Sequence, residues 1–529
     1  MHTVFRTCLL ATAASLTLMA CKDNAASDID AVESLSVKGL SDGDIAKHFE
    51  VGTCEATDAQ MQAGLVALGL DAPTDDMAWD GMETEGGGYE FDGVSFTSDG
   101  KAATIGELDL ACLREVDGVV MVDRVSADDI SITSDEGTIT IASLSVVEPD
   151  AETVRALLDG NTDIGLPKAR AFAMDDLAVN MTDVRETTSF DMSEPPEVSP
   201  DSDFVKTVKI ETVRTVIALD SLAFASAMSA DARDGFIRMG ELDMTADSDT
   251  GEDLSVDFDG VTVTGIVSPD MFGDGLGAIG SQAMGPFATP YDTMEVGDYT
   301  VSFDTMELSG GGIVGENTRR GKTTDMVSVL EPATLSFSGP PNGSDLAPVY
   351  AAISGMGYDS VTVSGRSDAT YDEASDRMVS KGGFFEWEDG FRLVIDNDVT
   401  GFGAVRDATV EGGDPSAALE NIKVNSMAIR LDDNSIVDRI FTAVAAEQDS
   451  TPKMLRMQAK GLLAMSTMGA SGLGIDPELV SESVSALGEF IDSPNSTLVL
   501  ELAPGGPLGM NDLMASTKDE MGFTARVEK

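Results

Sequence analysis

Histidine is almost absent: the 529 residues carry two, His2 and His48. Catalysis that passes a proton through an imidazole is therefore largely excluded. Cations are scarce as well. There are 33 Lys+Arg against 93 Asp+Glu, a formal net charge of −60. Binding to phosphate backbones or anionic lipid needs clustered cations rather than a net anionic field, so neither a nucleic-acid partner nor general binding to anionic lipid surfaces is expected. Aromatics are 5%, with Trp79 and Trp387 the only tryptophans, so platforms for stacking sugars lack their material. A glycosidase-type carboxylate pair cannot be placed among so many acids. There is no CxxC spacing, which removes the usual zinc frameworks. After the first twenty residues no run approaches the ~18 apolar residues that a spanning helix requires. Hydrophobic residues still make up 42%, enough for a sizeable core.

The amino terminus is an address. Met1–Ala20 has one early arginine, Arg6, and an apolar stretch from Cys8 to Leu16, the layout of a secretory signal. It closes on Leu18-Met19-Ala20-Cys21, which resembles the bacterial lipobox. That resemblance implies a Cys21 acylated as the first mature residue, giving a membrane partner through its lipid at about 0.8 kcal/mol per buried methylene. Lys22 follows it, where Asp would mark inner-membrane retention, so the expected location is the outer membrane, facing the periplasm. Removing the leader takes His2 and Cys8 with it and leaves Cys54 and Cys112 as a pair. In an oxidising envelope they are a disulfide candidate, worth about 3–4 kcal/mol by loop closure; the alternative is two buried thiols.

Residues 21–43 read as a tether after the 1–20 leader. A region of N-terminal helices and first β-repeats covers 44–193, a second β-repeat region 194–412, and a helix-rich α+β region 413–529. Short helices are expected at Asp44–Glu50 and Thr57–Leu68, the latter with Met61, Leu65, Leu68 and Leu70 near helical spacing. The strongest signal is a repeated string. Asp92-Gly-Val-Ser-Phe-Thr returns as Asp128-Asp-Ile-Ser-Ile-Thr, and in looser form at Asp175, Asp220, Asp259, Asp325 and Asp359. Asp92–Leu110 aligns without a gap on Asp128–Val146, which argues against coincidence. Gly106-Glu-Leu-Asp-Leu also recurs as Gly240-Glu-Leu-Asp-Met.

Side chains alternate along a strand, so each copy predicts a half-apolar antiparallel sheet. Its apolar face is expected to carry Val94, Phe96, Ile130, Ile132, Val261, Val263, Val361 and Val363, with the leading Asp and Gly acting as turns between strands. Glu194–Pro200 reads as a stiff loop. Gly310–Lys322 reads as another, with Arg319, Arg320 and Lys322 as the one compact basic cluster, a local ion-pair set or a docking patch. After Gly412–Pro415, helical patterns occupy Ser435–Glu447, Pro452–Met468 and Pro477–Ile491, with stripes Ile436/Ile440/Val444 and Leu455/Leu462/Leu463/Met465. A strand at Thr497–Leu502, a short helix at Asn511–Lys518 and a strand at Gly522–Val527 follow.

Candidate chemistry is thin. His48 has no nucleophile and orienting acid beside it in sequence, and is expected to face solvent or bond locally. Gly275–Gly280 spells GxGxxG, yet a turn precedes it where a strand is required. Asp247–Asp253 and Asp396–Asp398 offer oxygens to calcium without completing an EF-hand. No catalytic residue, metal ligand or cofactor is assigned.

The strand strings at Asp359–Ser364 and Phe391–Ile395, leading to a helical tail ending near Phe490-Ile-Asp-Ser-Pro-Asn-Ser-Thr-Leu-Val-Leu-Glu-Leu-Ala-Pro, resemble uncharacterised alphaproteobacterial envelope proteins. More distantly, the half-apolar meander is similar to AsmA-like lipid-handling envelope proteins, from which this chain departs in its lipid anchor and polar second face. The expected fold is mainly β with an α+β C-terminus: an elongated antiparallel meander of irregular repeats, with a helical cover near the C-terminus. The expected role is a non-enzymatic binding or scaffolding lipoprotein with an envelope protein partner. The alternative is a carrier of lipid or another amphiphile in an apolar groove, and a carboxylate-dependent hydrolase is the minor third.

Overall fold

The alternating segments are strands, as a sheet with one apolar face requires. The computed structural model describes residues 40–150, 153, 169–190, 206–266, 291–404, 421–470 and 476–529, apart from short breaks at 86, 99–100, 117, 230–231, 249–252, 342–345, 510–511 and 513–515. The chain is mainly antiparallel β-sheet, a large meander with helices gathered toward the C-terminus. The leader with Cys21, the Glu194–Pro200 loop, the Gly275–Gly280 string and the Gly412–Pro415 break lie outside the described residues. Two units are distinguished, one of Leu40–Val261 with Tyr299–Met306, the other of 262–298 and 307–529.

The first unit opens with helices α1 (Asp42–His48) and α2 (Asp58–Ala67). Thr57 starts α2 through a capping box with Gln60, and Met61, Leu65 and Leu70 are buried. Its strands, numbered along the chain, are β1 (Met77–Ala78), β2 (Gly81–Glu85), β3 (Gly88–Ser98), β4 (Lys101–Ala111), β5 (Arg114–Val116), β6 (Val119–Met121), β7 (Arg124–Ser134), β8 (Gly137–Val147), β9 (Ala171–Phe190), β10 (Lys206–Ala225), β11 (Gly235–Met239), β12 (Leu242–Ser248) and β13 (Leu254–Phe258). The gapless repeat is one hairpin made twice: the bounds of β7–β8 reproduce those of β3–β4 at a constant offset.

The Asp-Gly and Asp-Asp pairs do not separate strands here. Asp92-Gly93, Asp128-Asp129 and Asp175-Asp176 lie inside β3, β7 and β9, and Asp220 lies inside β10. Gly93, Asp129 and Asp176 take left-handed backbone at φ 60°, 53° and 51°, a region that Gly and, less easily, Asp can occupy. At each pair the alternation of burial slips by one residue. Val125 and Ala127 are sheltered before Asp128-Asp129, and Ile130 and Ile132 after it; in β4 the sheltered residues are Ala103 and Ile105, then Leu108 and Leu110. A slip in one strand alone would turn its apolar side chains to the other face. Here every strand slips at the same row: Asp92 pairs with Glu107, Glu107 with Asp128, Asp128 with Ser143, and Ser143 with Asp175. Register is kept across this transverse crease, because on both sides Asp92↔Glu107 and Val94↔Ile105 belong to one pairing frame. The turn reading of the motif is therefore corrected for these copies; between Phe258 and Val261, Asp259-Gly260 does separate two strands.

On one side of the crease the sheet is well buried. Val147, Ala171, Ala223, Ala225 and Phe236 form a core that Leu40, Ile45 and Phe49 close from the α1 segment. Arg170 secures that helix by donating to the carbonyls of His48 and Glu50. Cys54 and Cys112 are joined by a disulfide with Cα atoms 5.3 Å apart.

The second unit carries β14 (Val261–Ile266, its first residue in the first unit) and β15 (Thr293–Val296); β16 (Tyr299–Phe303) returns to the first unit and pairs with β13. Then come β17 (Met306–Gly310, its first residue in the first unit), β18 (Ile313–Arg320), β19 (Thr323–Phe337), helix α3 (Ala347–Gly355), β20 (Ser360–Asp372), β21 (Arg377–Ser380), β22 (Phe384–Trp387), β23 (Phe391–Thr400) and β24 (Lys423–Asp433). Helices α4 (Ile436–Glu447), α5 (Pro452–Ala470) and α6 (Pro477–Asp492) precede β25 (Thr497–Leu502), β26 (Leu508–Gly509), helix α7 (Lys518–Met521) and β27 (Thr524–Glu528). The expected loop at Gly310–Lys322 is largely strand β18, paired along its length with β19; the glycines mark only its entry. Of the short helix expected at Asn511–Lys518, half of the residues lie outside the described ones; Thr517 is the N-cap of α7, which begins at Lys518. Helix α3 had no counterpart in the sequence pattern. Its apolar residues, with Pro at the start, show no amphipathic stripe.

Candidate functional site

The surface that separates this molecule from an ordinary packed sheet lies in the first unit, beyond the crease. One row of paired residues runs Phe96–Ala103–Ile132–Ile139–Val179–Ile217–Met244–Val256–Val301, across nine strands from β3 to β16. Paired residues share a face, so this is a continuous apolar ladder. A second row beside it holds Val94 with Ile105, Ile130 with Ile141, and Leu177–Leu219–Leu242–Phe258–Tyr299. Val94 is buried, but every member of the first row is only half-buried. The opposite face is rich in Thr and Asp, with Thr104, Thr133, Thr140, Asn180, Asp243, Thr245, Ser255 and Asp257 exposed. At the end of the second row, burial pushes the Tyr299 phenol above its ordinary value.

The eight expected apolar positions divide. Phe96 and Ile132 sit in one row of this surface, and Val94 and Ile130 in the next. Val361 and Val363 instead join Ile353, Tyr358 and Trp387 in a filled core under α3 in the second unit. Val263 is buried, and Val261 half-buried. Repetition of a motif thus does not guarantee a common surface.

His48 is buried edge-on to Phe236 at 5.4 Å rather than facing solvent, and its Nδ1 has no hydrogen-bond partner. Burial of α1 against the sheet overrides its polarity. The residues Gly39-Leu-Ser41-Asp-Gly43 do spell GxSxG, but Ser41 is the N-cap of α1, bonded to Asp44. That serine serves the helix, not a nucleophile elbow.

The basic cluster is engaged locally, Arg319 with Asp292 at 3.0 Å and Arg320 with Asp325 at 3.3 Å. Asp398 is held by Arg377, whose guanidinium keeps the carboxyl below its usual range, and by Asn425. Asp253 accepts the backbone N–H of Ser248. Among the described residues no group of three or more His, Cys, Asp or Glu side chains is arranged to hold a metal ion. No described helix is long and apolar enough to cross a membrane. An open cleft of about 490 Å³ lies between α5 and α6, rimmed by the pairs Lys460–Asp492 and Lys529–Glu489.

A family described only as an uncharacterized protein matches residues 384–526, the stretch from β22 to β27 with helices α4–α7. No curated protein and no solved structure matches the chain.

Proposed function

We propose that the protein is a non-enzymatic binding lipoprotein of the bacterial envelope, held at the outer membrane through Cys21, whose first unit receives an acyl-chain amphiphile along the apolar rows. The observation that carries this is the half-buried ladder from Phe96 to Val301, backed by an exposed polar face. Soluble proteins rarely leave a contiguous apolar surface of that extent without a use for it. An extended acyl chain of a dozen methylenes, at about 0.8 kcal/mol each, would gain up to roughly 10 kcal/mol before its ordering costs.

The test is mass spectrometry of solvent extracts from the purified protein, together with displacement of a fluorescent fatty acid. Val179→Asp with Ile217→Asp, in mid-ladder, is expected to abolish probe binding. A protein that copurifies no amphiphile and binds no probe would refute the proposal. The second unit favours a scaffolding role instead, because Val361 and Val363 lie in a filled core. Crosslinking in cells that recovers no protein partner would remove that reading.

A further inference from the structure

Helix α5 is built inside out. Its inward side has one buried apolar residue, Leu455, with Ala459 and Leu463 half-buried. The other inward contacts are polar: Arg456 donates to the carbonyl of Ile491 and pairs with Asp438, and Lys460 pairs with Asp492. The outward side holds the larger apolar residues. Met454, Met457, Leu462 and Met465 are 51%, 64%, 68% and 62% exposed. The expected stripe Leu455/Leu462/Leu463/Met465 is thus corrected: two of its four members point away from the fold.

Charge gives a second, independent observation. Residues 450–475 contain no Asp or Glu, the longest acid-free run in a chain with 93 acids, and they carry Lys453, Arg456 and Lys460. An outward helix face in so acidic a protein would ordinarily be charged. Here Met454, Met457, Gln458, Gly461, Leu462 and Met465 present none, with Lys453 exposed on the flank.

We propose that the outer face of α5 docks on an anionic lipid bilayer surface. Apolar side chains with an exposed lysine, Lys453, on their flank are the pattern of a helix lying in a membrane interface, where flexible methionines adapt to irregular packing; Arg456 and Lys460 are engaged inward by Asp438 and Asp492. The −60 charge would drive the rest of the chain away from such a surface, and the acid-free run is where contact is least opposed. A second copy of the chain is the poorer occupant, because pairing α5 with itself brings two strongly acidic bodies and two sets of lysines together. The proposal stands apart from the cargo reading of the sheet and needs no amphiphile bound there.

The experiment is flotation of the full mature chain carrying Cys21→Ser, so that no lipid anchor contributes. The vesicles are phosphatidylcholine alone or an equimolar mixture with phosphatidylglycerol. Roughly tenfold more protein is expected to float with the mixed vesicles at low salt, and high salt should release it. Met457→Glu with Leu462→Glu and Met465→Glu should return flotation to the phosphatidylcholine level while circular dichroism and thermal unfolding stay unchanged, since all three side chains are mostly exposed. Wild-type protein that does not float with anionic vesicles, or a triple variant that floats equally well, overturns the proposal. So does a wild-type dimer in light scattering that the triple variant dissolves while neither form binds vesicles, which would assign the face to a second copy.

Discussion

Gly106 and Asp129 oppose each other at the crease between β4 and β7, and their coupling can be measured. A Cβ added to Gly106 would lie 2.9 Å from the Cβ of Asp129 and 3.3 Å from its Oδ2. The nearer atom is a branch point fixed by the backbone, so relief requires movement of the strand. Overpacking of this kind costs typically about 1–3 kcal/mol, partly offset by about 0.4–1 kcal/mol from a less flexible unfolded chain. Gly106→Ala is therefore expected to destabilise the first unit by about 1–2 kcal/mol. Asp129→Gly removes a left-handed penalty of about 1 kcal/mol and adds a similar entropic cost, so alone it should be nearly neutral. In the double variant the obstructing carbon is gone and the added methyl group fits, giving a coupling of about 1–2 kcal/mol. Trp79, edge-on to Phe91 at 5.4 Å, reports on the first unit, and Trp387→Phe silences the other tryptophan. Urea unfolding followed by that fluorescence closes the cycle. Effects that add within about 0.5 kcal/mol would show that the two residues do not meet across the crease.

Reducing the Cys54–Cys112 bridge, or replacing both cysteines with alanine, should lower first-unit stability by about 4 kcal/mol for a separation of 58 residues; an unchanged unfolding midpoint with and without reductant would contradict this. Asp433 is buried and accepts the backbone N–H groups of Ser435, Val437 and Asn495. Asp433→Ala should cost about 3 kcal/mol and Asp433→Asn distinctly less, compared by thermal unfolding. Glu501 accepts two bonds from Arg526, which holds its carboxyl below the ordinary glutamate value. A depressed folded value means the stabilisation is complete above the unfolded value, about 4.3, and is lost as pH falls through the folded one. Acid titration of second-unit stability should therefore flatten in Glu501→Gln, and an identical acid limb in both proteins would count against the pairing.

What the chain dictated by itself was the kind of element and its repetition. Period-two alternation in Val94–Thr97 and Ile130–Thr133 depends only on the pleat, so strands followed directly, and the match of Asp92–Leu110 to Asp128–Val146 announced a duplication, which the structure shows to be a hairpin made twice. The helix starts at Thr57, Pro452 and Pro477 were legible because capping, here by Thr57, Thr451 and Asp476, is a local transaction between neighbours in sequence. Tertiary structure decided what local spacing leaves open. Whether Asp128-Asp129 ends a strand or creases it depends on the strands on either side, which slip at the same row and so hold the pairing frame. Whether a valine in the motif lines an exposed ladder, as beside Phe96, or a filled core, as at Val361, depends on what the fold lays over it. The outward turn of Met457 and Leu462 has the same origin. Helical periodicity puts apolar residues on stripes, but only the placement of α4 and α6, and the ion pairs that bind α5 to them, fixes which stripe is left facing water.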